Sequence, residues 1–177
     1  MRRALRLHPD CRRDAVSRID VDVTRTGPGR LELAYVLSGR MADVVLPPAG
    51  EPGRADELWQ HTCLELFLKP AGGRTYREFN FAPSRQWAAY GFDDYRLGRR
   101  PIDAAPEILV AARDDRFEMT VTLDLPWLTE AAAWKLALTA VVEESGGHIF
   151  YWALNHPPGK ADFHHADGFA LELQGLS

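Results

Sequence analysis

A chain of 177 residues with 46% hydrophobic and 26% charged content has the balance of a folded globular protein with a substantial core. Its 21 basic against 25 acidic residues give a formal charge of −4, which argues against general nucleic-acid binding, where a basic excess supplies the phosphate contacts. No secretory h-region and no bilayer-length apolar run is visible, so the expected compartment is the bacterial cytoplasm, with no membrane partner.

Residues 1–17 read as an irregular basic arm carrying Arg2, Arg3, Arg6, Arg12 and Arg13. Arg18–Thr26 and Arg30–Ser38 then alternate strictly about a Gly-Pro-Gly turn, which predicts a hairpin. Met41–Leu46 is expected to add a short strand, and the punctuated stretch Pro47–Glu57 is a loop inside one domain spanning residues 1–177. Cys11 and Cys63 are too few for a disulfide framework and have no metal-ligand spacing; a single bridge between them is left open.

The centre of the chain is Leu58–Tyr95, where His61–Lys69, Thr75–Ala82 and Gln86–Phe92 are three extended runs joined by short turn-rich connectors. An antiparallel meander follows. Strand side chains alternate, so Leu64, Leu66 and Leu68 share a face with Phe79 and Phe81, while Glu65, Glu78 and Asn80 gather on the reverse face. Trp59 and Trp87 flank the meander. A ligand with apolar faces and hydroxyl edges, such as a sugar ring, suits flat aromatics beside carboxylates and an amide.

After a loop at Arg96–Pro106, Glu107–Arg113 and Arg116–Leu125 predict a further hairpin about Asp114-Asp115. Pro126 suits the first position of a short helix through Ala133, since it needs no amide hydrogen there. Trp134–Glu144 reads as a buried strand, His148–Asn155 returns from Gly146-Gly147, and Gly168–Gln174 closes the fold. Roughly ten strands of about the usual 5–6 residues imply a two-sheet antiparallel sandwich.

Between the last two strands lies a long loop within Trp152–Gly168, rich in proline and histidine. Asn155 and His156 stand at its start, as the rim of a polar site. His156, His164 and His165 are candidate metal ligands, although adjacent His164 and His165 point opposite ways if extended. Glu65 and Glu78 on neighbouring strands also fit an acid–base pair for glycoside hydrolysis. Met41 or Met119 with a His or Lys would be a haem ligand set, but Met119 lies on the strand side that reads as core. A serine elbow, a Gly-rich phosphate loop and a Cys–His signature are missing.

The runs LWQHTCLELFLKP, YREFNFAPSRQWAAYGFDDYR, FEMTVTLDLPWL and FALEL resemble the DOMON-like superfamily, in particular its branch similar to carbohydrate-binding module family 9. The resemblance covers about Ile19 to Leu173. It implies an immunoglobulin-like or jelly-roll β-sandwich, a ligand-binding role for sugar or haem, and no intrinsic catalysis. In the sugar-binding modules a tryptophan precedes a strand carrying a carboxylate, which matches Trp59 and Glu65. A second, later tryptophan completes an aromatic clamp there, and Trp152 is its nearest counterpart. The resulting expectation is a carbohydrate-binding domain using Trp59, Glu65, Glu78, Asn80, Trp87, Trp152, Asn155 and His156, with a haem- or metal-binding redox domain as the alternative.

Overall fold

The computed structural model describes residues 1–12 and 15–174. β1 (Arg2–Ala4), β2 (Arg6–Leu7), β3 (Val16–Gly27) and β4 (Arg30–Gly39) come first. β5 (Gly53–Arg54), β6 (Cys63–Pro70), β7 (Tyr76–Phe81), β8 (Gln86–Phe92) and β9 (Arg100–Pro101) follow. β10 (Glu107–Arg113), β11 (Arg116–Asp124), β12 (Ala133–Glu144), β13 (His148–Ala153) and β14 (Leu171–Gln174) complete the series.

The strands make an all-β sandwich of two sheets. One has five strands in the order β1-β3-β4-β11-β10; the other has nine and runs β2-β13-β12-β6-β7-β8-β5, with β14 on β12 and β9 on β8. Pairing is antiparallel except for the two-residue contact of β5 with β8. The alternation in β3, β4 and β11 turns Ile19, Val21, Val23, Leu31, Leu33, Leu37, Met119 and Val121 inward. They meet Leu64, Leu66 and Leu68 of β6, Phe79 and Phe81 of β7, and Leu136, Leu138 and Val142 of β12. Removing each such side chain from water contributes about 1.5–3 kcal/mol, which makes this layer the main source of stability. Tyr35 crosses it, donating its hydroxyl to the Glu65 carbonyl oxygen at 2.9 Å. The phenol is thereby satisfied at the centre of the core.

Four local expectations change. The basic arm is strand, not irregular. Arg2, Arg3 and Ala4 pair with Asp22, Val21 and Asp20 of the five-stranded sheet, and Arg6 and Leu7 then pair with Ala153 and Trp152 of the other. Leu5, buried between them, anchors the crossing. Arg13 lies outside the described residues. Met41–Asp43 is a 3₁₀ turn, and only Val44 bridges to a strand, at Glu144. Pro126–Thr129 is likewise one 3₁₀ turn, because β12 already begins at Ala133 and leaves no room for a longer helix. The loops Pro47–Glu57 and Arg96–Pro106 each donate a two-residue strand, β5 and β9, to the exposed side of β8.

Backbone geometry requires glycine at the end of β4. Gly39 has φ +149°, and a Cβ there would lie 2.1 Å from the Ala15 carbonyl oxygen. β3 and β4 close on each other only because that atom is missing.

Candidate functional site

The outer face of the meander carries the polar set that the alternation predicts. In the register, Glu65 of β6 lies opposite Asn80 of β7 and Thr139 of β12, while Glu78 lies opposite Phe67 and Tyr90. This face is covered. Glu65 is 2% exposed, Glu78 6% and Asn80 0%, beneath the loop after β13 and the segment after β2. A second cluster, Phe67, Tyr76, Tyr90, Phe92 and Ala137, packs here with Phe163 and Phe169 of that loop. β6 is therefore buried on both sides, which its sequence does not announce.

The two buried carboxyl groups are held by direct hydrogen bonds, while Asn80 Oδ1 has no partner among the described residues. Thr139 Oγ1 donates to Glu65 Oε2 at 2.8 Å, and Asn80 Nδ2 donates to Glu78 Oε1 at 2.8 Å. Burial, then the nearby Glu78 carboxylate, pushes the Glu65 carboxyl up to about 8, against the pull of Thr139. Burial also raises Glu78, opposed by Asn80 and by Arg99 and Arg96. Near neutral pH Glu65 therefore keeps its proton and acts as donor as well as acceptor.

His164 caps this floor. Tyr76 Oη is 2.7 Å from His164 Nδ1 and accepts the Arg96 amide at 3.1 Å. The phenol proton is thus free for Nδ1, which leaves the imidazole proton on Nε2, 3.8 Å from Glu78 Oε2. Burial, with Arg96 nearby, pushes His164 down to about 4, so the ring is neutral; burial pushes Tyr76 up to about 12. Asp162 braces the same loop, accepting from Tyr95 Oη at 2.5 Å, Arg96 Nη2 at 2.8 Å and the His164 amide at 3.1 Å. Burial alone would raise Asp162, but these donors hold it below the usual carboxylate range.

Between floor and cover is a cavity of about 630 Å3. Glu65, Glu78, Phe67 and Val141 come from its sheet face, Phe92 and Tyr151 from neighbouring strands, and Phe163 and His164 from the covering loop. Trp59, Asp10, Arg96, Arg99 and Lys160 also line it, with His8 and Cys11. A smaller cavity of about 380 Å3 adjoins, with Tyr76 and His164 in its wall and Lys69, Arg74 and Tyr95 around it.

The predicted residues divide. Trp59, 49% exposed, stands at the larger cavity with Glu65 and Glu78, and Asn80 supports Glu78 from beneath. Trp87 does not join them: it pairs with Phe81 and so points to the inner face, packed against the main core under Arg54. Trp152 is also on the inner face, opposite Ala140 and Leu7 and 2% exposed, with Nε1 unpartnered among the described residues. The aromatic side chain that β13 offers the cavity is its neighbour Tyr151, whose ring meets Phe163 edge-on. Asn155 donates to the Asp167 carbonyl oxygen, and His156 Nε2 contacts the Arg6 carbonyl oxygen at 2.8 Å; both tie the loop down rather than line the cavity.

The histidines do not converge. His164 faces Tyr76, and His165 Nδ1 instead accepts the Asp167 amide at the start of a 3₁₀ turn. Among the described residues there is no group of three or more His, Cys, Asp or Glu side chains placed to hold a metal ion. Met41 and Met119 are packed in the inner core, on the other side of the sheet from the cavity. Cys11 and Cys63 are both free thiols. Sequence reasoning missed Tyr151, Phe163, Arg96 and Arg99; Lys160 and Asp162 read from sequence as loop ties or contacts to a polar ligand, and the structure puts Lys160 at the cavity and Asp162 in the loop's bracing.

No protein-family model matches the chain, and no curated protein matches it in sequence. In structure it is similar to a crystallised protein from Bacteroides uniformis whose carbohydrate binding is a provisional assignment, with a TM-score of 0.64 and 15% identity over 89% of this chain and 78% of that one. At that identity the likeness is one of fold: a β-sandwich of the same architecture.

Proposed function

We propose that this protein is a non-catalytic binding protein for a carbohydrate, held in the cavity over Glu65 and Glu78. The observation that carries this reading is the pairing of two buried glutamates with aromatic walls in one cavity of about 630 Å3, within the size range of small-molecule sites. Hydroxyl groups require both donors and acceptors. A protonated Glu65, with Glu78 beside it, supplies both, while Phe67, Phe92, Tyr151 and Trp59 offer apolar surface to ring faces. The resemblance to the DOMON-like superfamily and the likeness to the Bacteroides uniformis protein support the same reading.

Hydrolysis fits less well. Its two carboxyl groups must flank a scissile bond, whereas Glu65 and Glu78 sit on adjacent strands and approach any ligand from one side. Both are also fixed, by Thr139 and Asn80.

A glycan array followed by calorimetry on the hits tests the proposal. Trp59→Ala and Glu65→Leu should each weaken the best ligand at least about tenfold, the loss expected for one buried contact or hydrogen-bonding group. Unchanged affinity in both variants would remove the site, and an array without hits would remove the sugar.

A further inference from the structure

The cations around the cavity are not evenly employed. Arg96 is tied to Asp162 at 2.8 Å. Arg99 and Lys160 form no ion pair among the described residues, although both line the cavity. Arg99 is not loose: its guanidinium carbon lies 4.0 Å from the centre of the Tyr90 ring, and Tyr90 is itself held by Asp56 at 2.5 Å. Arg99 also shares a hydrogen bond with the Tyr90 side chain, and a guanidinium has five N–H donors, so a stacked Arg99 keeps further donors with which to grip a planar or tetrahedral oxyanion. Tyr90 lies directly opposite Glu78 in the sheet, so the stacked guanidinium stands next to the polar floor. Among the described residues that line the cavity, Asp10 is the one exposed carboxylate, against three cations.

We infer that the ligand is an acidic sugar, its hydroxyls on Glu65 and Glu78 and its carboxylate or phosphate on Arg99 and Lys160. This rests on the carbohydrate reading above and narrows it. An anion here meets two cations that hold no ion pair among the described residues, and the stacked Arg99 loses little conformational freedom on binding it. A neutral sugar would add no charge partner to either Arg99 or Lys160.

The test is calorimetry on the full chain with glucose, galactose and mannose, each beside its uronic acid and its 6-phosphate. The acids of at least one series should bind about tenfold or more tightly than the parent sugar at low salt, and the margin should shrink at about 0.5 M salt, where screening is short-ranged. Arg99→Gln with Lys160→Gln, checked for retained fold by circular dichroism, should cut the margin to about threefold or less. The better of uronic acid and phosphate identifies the anion. If the parent sugars bind as well as their acids, the acidic-sugar inference fails and the carbohydrate reading stands. If none of the nine compounds binds and the array is also empty, both fall together.

Discussion

Thr139 Oγ1 and Glu65 Oε2 are 2.8 Å apart on neighbouring strands, and this hydroxyl is the hydrogen-bond donor that the buried carboxyl finds within the protein. Thr139→Val keeps the shape and removes the donor. Stability should fall by about 1–3 kcal/mol, the cost of an unsatisfied buried polar group. Urea unfolding at pH 7 reads this; a midpoint equal to that of the parent protein would refute it.

The Glu65 proton gives stability a pH signature. Its folded-state pKa of about 8 is above the ordinary 4.5, so the folded protein binds more protons than the unfolded chain between those values. The contribution is complete below about 4.5 and is lost as pH rises through about 8. His164 runs the other way: its folded value of about 4 is below 6.5, so its contribution is present above 6.5 and lost as pH falls through about 4. The clean window is therefore above pH 6.5. Stability should drop by about 2 kcal/mol from pH 6.5 to 8.5, and Glu65→Gln should flatten the slope.

Tyr151 and Trp152 are adjacent yet face opposite sides of the sheet. Tyr151→Ala should weaken the ligand with at most a small change in unfolding midpoint. Trp152→Ala should instead cost about 3–5 kcal/mol of stability, as large buried aromatics do. Equal behaviour of the two variants would contradict their opposite placement.

Tyr76→Phe deletes the hydroxyl that joins His164 to the Arg96 amide. The loop over the cavity loses one of its ties, so amides around 160–166 should exchange hydrogen several-fold faster while those of β6 stay protected. Unaltered exchange in the loop would show that its other ties, through Asp162, Asn155 and His156, secure it without the Tyr76 hydroxyl.

The sandwich was legible because β3, β4, β6, β7 and β11 alternate cleanly, and the gathering of Glu65, Glu78 and Asn80 followed from the same period of two. What alternation cannot tell is whether an outer face is bare or roofed. The roof is an irregular loop without periodicity, so its Phe163 and His164 left no trace of where they land. β13 failed for a different reason: in Ile149-Phe150-Tyr151-Trp152 every residue is apolar or aromatic, so parity has nothing to distinguish. Trp152 resembled a binding residue by type and is a core residue by phase. β1 and β2 were hidden because two or three residues, mostly arginine, form no pattern at all.

The opening residues clasp both sheets, with Arg6 and Leu7 waiting on Ala153 and Trp152. That clasp is a pairing of very high sequence separation, which carries a large loop-closure cost. His8 and Cys11, which follow directly and help wall the cavity, are held in place by that pairing. One wall of the cavity thus depends on a long-range strand pairing, so a change that loosens Arg6 or Leu7 reaches the cavity as well.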